Sequence, residues 1–129
     1  MSNAALALGR LALAAIFLVS GYGKLVGLAG TAAYIGSKGL PVPMVLAVLA
    51  GVGEVVLGAA IVLGFKARLA ALGLVAFTAI ATALFHDFWN LQGAARGEQQ
   101  IHALKNLAMI GGLLVLAGAG AGRFSVDRR

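Results

Sequence analysis

An all-α bundle of four transmembrane helices is predicted by two features of this 129-residue chain. No side chain is charged between Arg10 and Lys24, between Lys38 and Glu54, between Arg68 and His86, or between Lys105 and Arg123. Each gap is filled mainly by Leu, Ala, Val, Ile and Gly, and each can anchor one spanning helix of about 20 residues. The composition agrees: 61% of residues are hydrophobic and 11% charged, against about 45–50% and about 25% in an ordinary soluble domain. The runs lack the alternating polarity of barrel strands, so helices are the remaining way to satisfy backbone polar groups in hydrocarbon.

Span one is expected over roughly 5–26, built from the good helix formers Leu and Ala and ended by Gly27, Gly30 and Thr31. It has no basic residue ahead of its apolar core, Arg10 lying inside it, and it reads as a retained span rather than a cleaved signal. The segment 31–40 is too short and polar to cross and is placed in the headgroup region. Pro41 and Pro43 separate it from span two, roughly 43–65, because proline in a first helical turn sacrifices no hydrogen bond. A basic turn over 64–68 leads into span three, roughly 68–88, whose end carries Phe85, Phe88 and Trp89 as an aromatic belt. The longest polar stretch, 90–100, precedes span four at roughly 101–119. A glycine-rich run and a short basic tail follow. No repeat or second domain is visible, and 1–129 is read as one domain.

Four spans put both termini on one side. That side carries Arg10, Lys66, Arg68, Arg123, Arg128 and Arg129, against Lys24, Lys38, Arg96 and Lys105 opposite. The excess of basic residues predicts cytoplasmic termini in a multi-pass protein of the bacterial inner membrane. The net charge of +6 is accounted for by this orientation signal and by anionic lipid headgroups, not by nucleic acid. Small residues at spacing four suggest close helix contacts: Ala47, Gly51 and Val55, then Ala50, Glu54 and Gly58, and in span four Ala108 and Gly112.

Glu54 is the costliest residue in the chain. Counting from Pro43, it sits about 16 Å deep in a core about 30 Å thick, where a charge costs about 2.5 kcal/mol or more. It must face the bundle and be paired or protonated. The same counting puts Arg10 about 8 Å and Lys24 about 13 Å from its level, which favours Arg10 as its partner on span one. A structural clamp and a proton- or ligand-handling site are both consistent with such a carboxylate.

A second polar group collects on the side away from the termini. His86, Asp87 and Trp89 end span three, and His102, Lys105 and Asn106 begin span four at spacings of three and four. They are expected to converge on one pocket between these spans, where imidazole, ammonium, amide and indole groups suit the carbonyls of a quinone headgroup. Plain interfacial anchoring produces the same composition. A metal held by His86, His102 and Asp87 or Glu98 has suitable ligand types but no close histidine pair, and none is expected. Ser20, Ser37 and Ser125 belong to no acyl-transfer signature. The chain has no cysteine, so it carries no disulfide or thiol chemistry.

Arg10 with Ile16-Phe17 and Ser20-Gly21 before Lys24, Gly39-Leu40-Pro41, and Glu54 leading to Leu63-Gly64 and Arg68 form an ordered set. It continues in His86-Asp87-Phe88-Trp89 and in Lys105-Asn106-Leu107 with Gly111-Gly112-Leu113-Leu114. Together these resemble the DoxX family of small bacterial membrane proteins. The resemblance implies a four-helix inner-membrane protein and matches polar positions at Arg10, Lys24, Glu54, His86, Lys105 and Asn106. It further implies association with quinone-linked sulfur oxidation or with assemblies that manage thiol or oxidative stress. Without cysteine, and without a soluble partner domain, such a role reduces to quinone binding or anchoring of a soluble or membrane redox partner. A small-solute or proton-coupled transport module centred on Glu54, and a purely structural assembly protein, are the alternative readings. A homo-oligomer is compatible with either.

Overall fold

The computed structural model describes residues 2–129. Its helices are α1 (Asn3–Val26), α2 (Leu28–Ser37), α3 (Pro43–Leu63), α4 (Ala67–Phe85) and α5 (Gly93–Ala119), with a short 3₁₀ turn at Phe88–Asn90. Four of them, α1, α3, α4 and α5, are long and apolar enough to cross a membrane, and there is no strand among the described residues. Large apolar side chains such as Leu8, Val19, Val56, Leu69 and Leu107 remain exposed on the outer surface. In water that would be an aggregation-prone surface; in a bilayer it is the lipid-facing one.

Local chemistry sets the helix ends. Ser2 caps α1 by accepting from the Ala5 N–H at 3.1 Å, a favoured N-cap arrangement. Gly27 both ends α1 and starts α2, its N–H donating to Gly23 O. The segment placed in the headgroup region is therefore helical from Leu28. Pro43 occupies the first turn of α3, as expected of a residue with no N–H to satisfy. Gly64 ends α3 at φ 67°, and the N–H of Phe65 returns to Ala60 O at 2.9 Å, a left-handed cap that glycine adopts without steric cost.

One boundary falls elsewhere than expected. α5 begins at Gly93, so the polar stretch before residue 101 is largely helix and not loop. Ala94, Ala95, Arg96, Glu98, Gln99 and Gln100 are good helix formers, and polarity reports where a helix leaves hydrocarbon rather than where it ends.

The core is made where α1, α3, α4 and α5 meet, around Ala14, Phe17, Ile61, Ala71, Leu74 and Leu113. α1 and α3 cross closely at Gly21 and Gly51. A Cβ on Gly21 would come within 2.8 Å of Gly51 O, and one on Gly51 within 2.8 Å of Leu25 Cδ2. The buried stripe of α3 is Ala47, Gly51, Glu54, Gly58 and Ile61, which joins members of both small-residue series into one face at helical spacing. On α5, Gly112 lies against Leu13 but Ala108 is exposed. Leu113 and Leu116 are the buried positions there instead.

The two ends of the chain lie together, Asn3 Oδ1 accepting from the Arg123 N–H at 2.9 Å. The C-terminal segment then crosses this face. Val126 N–H donates to Leu63 O and Asp127 N–H to Gly64 O, each at 2.9 Å. Asp127 in turn accepts from the Lys66 and Ala67 N–H groups at 2.8 and 2.9 Å, capping the N-terminus of α4 with a negative charge.

Candidate functional site: an intramembrane cavity joining two polar groups

Glu54 faces the bundle and is 3% exposed. Its partner is Lys24, not Arg10. Lys24 Nζ lies 2.5 Å from Glu54 Oε1 and 2.7 Å from Ser20 Oγ, and the Ser20 hydroxyl lies 3.4 Å from the same carboxylate oxygen. The reason is the register at the glycine crossing. In an antiparallel pair with Gly21 beside Gly51 and Glu54, Gly51 also meets Leu25. Lys24 is then about one turn from Glu54 and bridges the gap with its four-carbon stem. Arg10 is about 11 residues, or about 16 Å, from that level.

Arg10 instead lies under the C-terminal segment. It is 3% exposed, and its Nη2 donates to Phe124 O at 2.6 Å, while Nε and Nη1 have no hydrogen-bond partner among the described residues. Gly64 leaves the space the guanidinium occupies, since a Cβ at that position would collide with it. Arg10 is a staple at the termini face and forms no part of the Glu54 site.

The Lys24–Glu54 pair lines a cavity of about 600 Å³ on the side away from the termini. Its walls are mainly apolar: Ile16 and Phe17 from α1, Tyr34 and Ile35 from α2, Leu46 and Leu49 from α3, Phe77 and Leu84 from α4, and Met109 from α5. The polar residues are Ser20, Lys24, Thr31, Glu54, Thr78, His86, His102 and Asn106. Two groups that appear separate in sequence, the carboxylate on α3 and the histidines of α4 and α5, thus share one space.

At the mouth the rings of His86 and His102 stack with centroids 5.2 Å apart, and His86 Nδ1 lies 2.7 Å from Gln99 Oε1. An amide oxygen only accepts, so this contact puts the proton on Nδ1 and turns Nε2 into an acceptor when the ring is neutral. Asn106 Nδ2 donates to Thr82 Oγ1 at 2.9 Å, and Thr82 back-bonds to Thr78 O at 2.6 Å. The Thr82 hydroxyl thus acts once as donor and once as acceptor. The Thr78 hydroxyl, in a residue 2% exposed, has no partner among the described residues.

Three of the six rim residues stand outside the cavity. Trp89 is half exposed and packs edge-on against Phe88 at 5.3 Å. Lys105 is exposed; it precedes Asn106 on α5 and is turned about 100° from it, so with Asn106 at the cavity Lys105 points off to the side. Asp87 lies 3.4 Å from Lys38 Nζ and accepts from Asn90 Nδ2 at 3.0 Å, tying the loop after α4 to the end of α2. The opening also differs from the one expected. It is not a slot between spans three and four but an open-sided space lined by all five helices, with α2 packed against the end of α4 through Tyr34 and Phe85, whose rings are 5.3 Å apart. Sequence reasoning does not assign Ser20, Thr78 or the segment that forms α2 to this site. The (i, i+4) spacing of Ser20 and Lys24 was the available signal for the first.

No cluster of three or more histidine, cysteine or acidic side chains suited to a metal ion occurs among the described residues.

Four membrane-crossing helices around an ion pair and a mainly apolar cavity define a small polytopic membrane protein. The chain belongs to the DoxX family, whose model matches residues 5–87. It is 38% identical over 124 residues to the inner membrane protein YphA of Escherichia coli, covering 96% of this chain and 89% of that one. Inner membrane protein YqjF of the same organism is 37% identical over 120 residues, 92% of this chain and 86% of the relative. The Surfeit locus protein 4 homolog of Schizosaccharomyces pombe is 34% identical over 73 residues, 55% of this chain but 24% of its own length. No solved structure matches the chain significantly. It is a multi-pass protein of the bacterial inner membrane type.

Proposed function

We propose that this DoxX-type membrane protein holds a small amphipathic molecule, drawn from the bilayer, in the cavity between its helices. One observation carries the reading: the apolar space of about 600 Å³ ends on a buried ion pair and on His86, His102 and Asn106. That volume is within the range of small-molecule sites, which join predominantly apolar walls to a few placed polar groups. A ring-bearing headgroup of the quinone–quinol class suits it, the polar substituents meeting the histidines, Asn106 and Glu54 while an apolar tail stays in lipid.

In this reading the protein is the membrane subunit of a redox assembly, supplying the lipid-soluble molecule to a partner that brings its own thiols or redox centre. The excess of basic residues around the termini supports a cytoplasmic position for them, which in this reading puts the cavity toward the opposite leaflet.

The test is purification in mild detergent or directly in lipid nanodiscs, followed by extraction and mass spectrometry of bound lipids. A ring-bearing amphiphile at near-stoichiometric amounts is expected, reduced by Leu49→Trp or Ala81→Trp, which fill the cavity. Retention of the same molecule in a folded, cavity-filled variant overturns the assignment.

A further inference from the structure

We infer that the polar end of the cavity selects a hydroxyl group over a carbonyl or ether, so that the preferred occupant is an amphipathic phenol or alcohol. This rests on the amphiphile-binding reading above and specifies the chemistry of the same site. The argument is an inventory of what the ion pair and its neighbours leave open.

Both donors to Glu54 converge on Oε1: the Lys24 ammonium at 2.5 Å and the Ser20 hydroxyl at 3.4 Å. Oε2 receives no protein donor among the described residues. The Ser20 oxygen already accepts from Lys24 at 2.7 Å. Asn106 commits one amide proton to Thr82 and leaves its oxygen open. His86, with its Nδ1 on Gln99, offers an acceptor at Nε2. The strongest open acceptor is the second oxygen of the ion-paired Glu54 carboxylate. The open donors are the third Lys24 proton, the second Asn106 amide proton and a His102 nitrogen.

A carbonyl or ether oxygen in this space satisfies a donor but sets its lone pairs against Glu54 Oε2. A hydroxyl donates to Oε2 and accepts from Lys24, which already lies against this carboxylate, with the same atom. Hydrogen bonds to a charged acceptor are the strong ones, and leaving a buried acceptor unmet costs its desolvation. The discrimination expected from one such bond is about tenfold or more in affinity.

Binding of 4-octylphenol and 4-octylanisole to the full chain in lipid nanodiscs tests this, with protein-free nanodiscs correcting for partition. The two probes share ring and tail and differ in the O–H. The phenol is expected to bind at least about tenfold more tightly, with the ratio shrinking severalfold in Glu54→Gln. Equal affinities in the wild-type protein overturn the hydroxyl preference and leave the amphiphile reading standing. Failure of both probes to bind overturns that reading and this inference with it. A preference unchanged in the folded Glu54→Gln protein locates it elsewhere and overturns the assignment to this carboxylate.

Discussion

Lys24 on α1 reaches one turn along the bundle to Glu54 on α3, with 2.5 Å between ammonium and carboxylate, although the lysine is 28% exposed and the carboxylate 3%. The geometry is that of a snorkelling side chain turned inward: the stem covers apolar surface while the head travels to a fixed charge. Because Glu54 is the more deeply buried partner, removal of the lysine leaves the costlier orphan.

Lys24→Met is accordingly expected to destabilise the protein by about 3 kcal/mol, and Arg10→Met to leave the Glu54 site intact. The double variant Lys24→Met/Glu54→Gln should recover most of that loss, since a neutral pair has no charge to strand. Thermal unfolding in one detergent measures all three. A double variant as unstable as Lys24→Met alone would show that the pair is not coupled.

The crossing of α1 and α3 gives a sharper contrast between neighbouring glycines. Gly51→Ala puts a methyl 2.8 Å from Leu25 and is expected to cost about 1–3 kcal/mol. Gly53→Ala, with nothing within 4 Å of its Cβ, should be neutral or stabilising. Equal melting temperatures for the two variants would remove the close crossing as the determinant of register.

Asp127 gives the termini face an acid limb. Its carboxyl is held below the usual carboxylate value, first by the Ala67 N–H, against the opposing effect of desolvation, and further by the Lys66 N–H and the Arg129 and Arg10 charges. A depressed folded value means its stabilisation is complete above about pH 4 and is lost as pH falls through the lower, folded value. Asp127→Asn should therefore lower the melting temperature at pH 7 and differ little from wild type near pH 2. A gap that persists unchanged into acid would assign the effect to packing rather than charge.

Orientation is accessible because the chain has no cysteine of its own. With Arg129→Cys and Gly97→Cys made singly, a membrane-impermeant maleimide applied to intact spheroplasts should label the cysteine at 97 and not that at 129. The reverse pattern would invert the topology and move the cavity to the cytoplasmic leaflet.

Composition and the placement of charges determined the class, the number of spans and the shared side of the termini. Apolar runs about 20 residues long have one stable use. The costs of a buried carboxylate likewise marked Glu54 as inward-facing before any contact was visible. Partner choice was not determined in the same way. Counting depth from Pro43 and Val26 treats the two helix ends as level, whereas the Gly21–Gly51 contact slides α3 along α1. It carries Lys24 to Glu54 and puts Arg10 beside Gly64. The same packing decided that His86, His102 and Asn106 share a cavity with Glu54 while Trp89 and Lys105 remain outside it. Charge and hydropathy act residue by residue and can be read along a chain; register and rotation depend on which small side chains let two helices approach, and that is settled only when the helices meet.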